Sequence, residues 1–154
     1  MLILTHYPEF INQTHPIDNE KSLLHLACSL NLPQLFEFLV HNKADVMLCD
    51  GSGRLPLHYA SQHAPTKFVT RLLDKSVQST ISINYRDKEG RTALSCACEG
   101  GQAETVRELL GRGAHPELAN EHGQTALLVA AQNGAYSCVE ALLAHNSGEE
   151  PLFQ

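Results

Sequence analysis

Apolar residues recur along this chain at one register, with Leu24, Leu57, Leu94 and Leu127 separated by 33, 37 and 33 residues. Three residues after each leucine stands an alanine: Ala27, Ala60, Ala97 or Ala130. Fifteen after it comes a second leucine followed by another aliphatic residue: Leu39 and Val40, Leu72 and Leu73, Leu109 and Leu110, Leu142 and Leu143. These offsets suit two short amphipathic helices per unit, the first narrow and alanine-lined, the second carrying larger side chains. A unit of that length cannot bury its apolar face alone. Four in series therefore predict a stacked solenoid whose core is shared between neighbours.

The polar residues punctuate the same frame. Pro33 and Pro65 fall where second helices should begin, a position that tolerates proline because the first-turn amide has no intrahelical partner. Gly101 and Gly134 occupy the turn between helices in the last two units. Ahead of the first helices lie glycine-bearing polar stretches, 50–53 and 87–90, suited to tight turns. Ser22, Thr92 and Thr125 can then accept an orphan amide hydrogen at a helix N-terminus.

Taken together these residues resemble the ankyrin repeat, whose signature is Thr, Pro, Leu, His, any residue, Ala. Leu55, Pro56, Leu57, His58 and Thr92, Ala93, Leu94, Ser95 carry it, as do Asn84, Asp87, Gly90, Gly113 and Ala114 in the hairpin pattern. The resemblance implies an all-α ankyrin-repeat solenoid of helix-turn-helix units with short hairpin loops. It also implies an interaction module that binds a protein or peptide through its concave face and hairpin tips. Repeats are expected at 17–49, 50–86, 87–119 and 120–146, after a degenerate half repeat over 1–16 and before a tail over 147–154.

Several positions depart from the family pattern. No unit carries the complete signature: Leu55 replaces threonine in the second, and Ser95 and Leu128 replace histidine in the third and fourth. Glu20 stands where glycine is usual. The 37-residue spacing predicts a longer loop within 77–82. The last repeat is rich in leucine and lacks the polar outer face of a terminal cap, so its end is expected to pack against the tail, a second copy or a further domain. The final Leu152, Phe153 and Gln154 resemble the remnant of a viral 3C-type protease site.

Composition narrows the function. The longest apolar run, 126–131, is too short to span a membrane, and the start lacks a basic leader, so a cytoplasmic protein is expected. Five cysteines without a paired framework read as thiols in a reducing compartment. Cys96 and Cys98 are two apart, which on a helix points them to different sides, and no second ligand pair has zinc-site spacing. His25 and His58 fill signature positions, and no nucleophile, base and carboxylate are placed to converge. No catalysis, cofactor or metal is expected. A net charge of −6 disfavours nucleic acid and anionic membranes as partners.

Local charge differs from the total. Arg54, Arg91 and Gln124 precede successive first helices, with Arg86 and Lys88 beside them, and these cations are expected to receive an acidic or phosphorylated segment. Solvation of the hairpins is the competing reading of the same charges. Further contact candidates are Ser52, Gln62, His63, Glu89, Glu121, His122, Gln132 and Asn133. Asn84 occupies the hairpin position that asparagine hydroxylases modify in some ankyrin proteins, although a turn-fixing hydrogen bond is the favoured reading of it.

Overall fold

A computed structural model describes residues 10–74 and 82–148. Most of the expected long loop, all but the last residue of the segment 77–82, lies outside the described residues, as do 1–9 and 149–154. Among the described residues eight helices form four antiparallel pairs: α1 (Leu23–Ser29) with α2 (Pro33–His41), α3 (Pro56–His63) with α4 (Thr66–Leu72), α5 (Ala93–Glu99) with α6 (Ala103–Gly111), and α7 (Ala126–Gln132) with α8 (Tyr136–Ser147). One addition to the all-α expectation is a two-stranded antiparallel ribbon, β1 (Thr14–His15) and β2 (Lys21–Ser22), with Thr14 opposite Ser22. Its cause is local. Asn12 precedes Leu24 by 12 residues whereas Asn84 precedes Leu94 by 10, and the longer first hairpin has room to pair.

Helices of this length are marginal alone, so packing must hold them. First helices stack in sequence, α1 on α3, α3 on α5 and α5 on α7, while α4, α6 and α8 form the second layer. Ala27, Ala60, Ala97 and Ala130 are fully buried in the first layer, where a methyl group lets neighbouring helices approach. Leu24, Leu57 and Leu94 fill the space beside them, and Leu39, Leu72, Leu109 and Leu142 the space between layers. Phe36 and Phe68 stack across α2 and α4 with ring centroids 4.2 Å apart.

The helix ends follow the sequence signals. Ser22, Thr92 and Thr125 accept from the amides of His25, Ser95 and Leu128. Pro33 opens α2, and Pro65 sits one residue before α4. In the hairpins, Asp50 and Asp87 accept two backbone amides each, at 2.8 to 3.0 Å, which closes the turn around Gly53 and Gly90. Gly90 has φ +76°, and its counterpart Glu20 takes φ +57°, a conformation that costs a side-chain-bearing residue about 1 kcal/mol.

Successive units are also joined by hydrogen bonds. His58 accepts from the Leu55 amide at Nδ1, which leaves Nε2–H to donate to the carbonyls of Tyr85 and, in the next unit, Arg91, each 3.2 Å away. His25 bonds Ser22 through Nδ1 and the Arg54 carbonyl through Nε2 at 2.9 Å. Ser95 instead closes on Thr92, so the junction between the third and fourth units lacks this link.

Burial holds both imidazoles below the usual histidine range despite nearby carboxylates. A lowered folded value means that the unfolded chain binds more protons between the two pKa values. Stability is therefore complete above about pH 6.5, the unfolded value, and is lost as pH falls through the lower folded values. Thermal melts are expected to drop by a few degrees between neutral pH and about pH 5, and the double substitution His25→Gln, His58→Gln should flatten that slope.

Candidate functional site: a polar ladder on the first-helix face

The solenoid brings most of the sequence candidates to one face, made by the hairpin tips and first helices. In the last three units, the residue two positions before the first helix reaches the residue eight positions on. Arg54 Nη2 donates to Gln62 Oε1 at 2.9 Å, Arg91 Nη1 lies 4.0 Å from Glu99 Oε2, and Gln124 Nε2 donates to Gln132 Oε1 at 2.7 Å. Gln62 Nε2 reaches across to Glu99 at 3.4 Å, tying the second unit to the third. The result is a ladder of polar side chains in register with the repeat.

The four cations are held differently. Arg91 Nε donates to Asp87 Oδ2 at 2.8 Å and lies 3.7 Å from Glu89, so its charge is compensated three times over. Arg86 donates to the carbonyls of Gly90 and Ala119, and Lys88 Nζ to the Gly51 carbonyl at 2.7 Å. Arg54 lies over the Tyr59 ring, 4.2 Å from its centroid, and donates to Cys96 Sγ at 3.5 Å. Its Nε is buried without an acceptor. Among the described residues Arg54, Arg86 and Lys88 have no carboxylate within ion-pair distance.

Tyr59 explains the difference between Arg54 and Arg91. Its hydroxyl donates to Asp50 Oδ2, the oxygen whose counterpart on Asp87 binds Arg91. Burial first, and then the bond to Asp50, push the phenol up to about 12. In the third unit Cys96 replaces Tyr59 and cannot compete for Asp87.

The remaining candidates spread along the same edge. Ser52 accepts from Asn19 Nδ2 at 2.9 Å, and Glu89 and Glu121 are joined by a backbone bond of 2.9 Å. His122 sits exposed at the fourth tip, its amide on Asn120. Asn133 turns its amide back to the Val129 carbonyl at 2.8 Å. His63 ends α3, where partial burial and the charge of Arg54 lower its pKa. Asn84 accepts from the His115 amide at 2.9 Å. Asn12 makes the equivalent bond to Asp45 at 2.7 Å and was legible as a second hairpin asparagine from the pair Ile11–Asn12 beside Ile83–Asn84. Lys21 was equally legible, standing 33 residues before Arg54.

Three of the thiols, Cys28, Cys96 and Cys98, are held protonated by their surroundings. All five cysteines are free, and Cys28, Cys96, Cys98 and Cys138 are buried. Burial pushes the Cys96 thiol up to about 11 even though Arg54 opposes the shift, while a hydrogen bond to Cys138 together with burial keeps Cys98 protonated. A protonated buried thiol is neither nucleophile nor metal ligand. Among the described residues no three His, Cys, Asp or Glu side chains are grouped to hold a metal ion, and no helix is long and apolar enough to cross a membrane.

Stacked helix pairs joined by hydrogen-bonded hairpins define the class: a helical-repeat solenoid. A family model described as Ankyrin repeats (3 copies) matches residues 2–87 and again 76–153, and the chain belongs to that family. It is 33% identical over 125 residues to the B-cell lymphoma 3 protein homolog of Mus musculus, a match covering 80% of this chain and 28% of the relative. It is 31% identical over 129 residues to Ankyrin repeat protein nuc-2 of Neurospora crassa, covering 84% of this chain and 12% of the relative. With the transient receptor potential cation channel subfamily A member 1 of Homo sapiens the identity is 32% over 127 residues, covering 82% and 11%. The chain thus spans less than a third of the length of each of these curated relatives.

Proposed function

We propose that this chain is a non-catalytic adaptor that binds a partner protein or peptide across its hairpin tips and first helices, in a cytosolic setting that keeps its five thiols reduced. The observation that carries this reading is the polar ladder: side chains at 54 and 62, 91 and 99, and 124 and 132 stand in register on one face, presenting a pre-organised surface. Cations at Arg54, Arg86 and Lys88, which have no carboxylate partner among the described residues, favour an acidic or phosphorylated stretch in the bound protein. A regulatory or targeting segment of a larger protein is the second reading, favoured by relatives several times longer than the aligned region.

Affinity capture from the native cell extract, followed by calorimetric titration of the captured protein, tests the adaptor reading. The double charge reversal Arg54→Glu, Arg91→Glu is expected to weaken binding by at least tenfold, because like charges then face each other across the interface. Unchanged affinity in a folded double variant would remove the face from consideration. Arg91 alone should matter less than Arg54, since three carboxylates already neutralise it.

A further inference from the structure

The first-helix face is chemically uneven from end to end. At the fourth unit it offers amides, at the third a neutralised arginine, and at the second Arg54, which has no ion pair among the described residues. Toward the first unit the surface becomes more apolar: a groove of about 520 Å³ is lined by Phe10, Pro16, Leu23 and Leu26, with Asp18 and Lys21 among its polar lining residues. Lys21 Nζ lies 5.5 Å from the Tyr59 centroid and the Arg54 guanidinium carbon 4.2 Å from it, so the two cations are at most about 10 Å apart, the reach of three extended residues. An apolar slot and an under-compensated arginine therefore border one another across Lys21.

We infer that this end of the face receives a partner segment in which an aliphatic side chain and an aspartate or glutamate lie within about three residues of each other. The aliphatic group enters the groove and the carboxylate binds Arg54. The inference rests on the adaptor reading and sharpens it. Tyr59 is the selecting device: by occupying Asp50 Oδ2 it denies Arg54 the internal ion pair that Arg91 makes, which leaves the guanidinium charge for a carboxylate from outside. A carboxylate fits better than a phosphate dianion, because Asp18 already lies 3.3 Å from Lys21, so a second negative charge meets repulsion.

The test uses the full chain, immobilised and screened with a phage-displayed random peptide library, then titrated with the selected peptide by fluorescence anisotropy. Selected sequences should pair Leu, Ile or Val with Asp or Glu at close spacing. Arg54→Gln should weaken the peptide about tenfold, the cost of losing a charge-assisted hydrogen bond. Tyr59→Phe carries the discriminating prediction: it keeps the ring but frees Asp50 to recapture Arg54, so affinity should fall severalfold while thermal stability holds. A purely structural Tyr59 would lower stability without that selective loss.

A basic or wholly apolar consensus, selection of phosphopeptides alone, or indifference to both substitutions would overturn the inference. So would nuclear Overhauser contacts between Leu2, Ile3 or Leu4 and Leu26 that persist with peptide bound, since the groove would then hold the chain's own first residues. Peptides whose amide shifts map to Gln124 and Gln132 sink this inference and keep the adaptor reading. Shifts confined to second helices, or an empty selection, sink both.

Discussion

Replacing Phe68 with alanine is expected to lower the unfolding free energy by about 3–5 kcal/mol, the range for truncating a fully buried aromatic ring. Phe68 and Phe36 are each about 1% exposed and stack at 4.2 Å between the second helices of the first two units. Removing one ring strips area from water-excluded packing and leaves a cavity at an inter-unit junction. Because solenoid stability is a sum of unit and neighbour terms, the loss should fall on the coupling of the first unit. Urea titration monitored by circular dichroism is expected to show the midpoint lowered and the transition broadened or split. The exposed Leu32→Ala serves as control, with an expected change of under about 1 kcal/mol. Equal effects would mean that the aromatic stack does not couple the units.

Gly100→Ala is expected to cost about 3 kcal/mol, an unusual price for adding one methyl group at a solvent-facing position. A Cβ there would lie 2.1 Å from the Gln62 carbonyl oxygen and 2.9 Å from its carbon, both backbone atoms of the preceding unit. Nothing flexible can yield, so the second and third units must separate, and with them the Gln62–Glu99 contact of the polar ladder. Gly101 provides the comparison. It has φ +67° and nothing within 4 Å of a built Cβ, so Gly101→Ala should cost only about 1 kcal/mol of backbone strain. Thermal melts of the two variants side by side test this, and a Gly101 variant less stable than the Gly100 one would refute the steric account.

Much of this fold was legible because its determinants are periodic. Ala60 and Leu57 announce their burial by recurring, and Ser22, Thr92 and Thr125 announce helix starts by preceding the recurrence. The pairing ribbon at Thr14 and Ser22 was not legible, since it depends on two extra residues in a hairpin whose sequence has no strand-like alternation. The candidate face was legible as a set of positions but not as a set of bonds. Arg54 and Arg91 look equivalent in sequence, and their different fates turn on Tyr59 against Cys96, side chains judged by reach and not by register. The spacing of eight between Arg54 and Gln62, repeated at Gln124 and Gln132, was a visible sign of the ladder. Gly100 gave no sign at all: its role comes from a carbonyl 38 positions earlier in the chain.

The hairpins hand one another hydrogen bonds in single file: the Gly51 amide to the Asn19 carbonyl at 2.8 Å, Lys88 to Ser52 at 3.0 Å, and Glu121 to Glu89 at 2.9 Å. Four tips are thereby strung on one cord, and none can swing without tugging the next. A ligand spanning several tips meets teeth already set at a fixed pitch, so little freedom remains to be frozen at the moment of contact. The same cord carries disturbance as readily as order: slack introduced at one tooth should be felt by its neighbours as altered spacing, which makes recognition by this comb sensitive to changes far from the residue that touches the ligand.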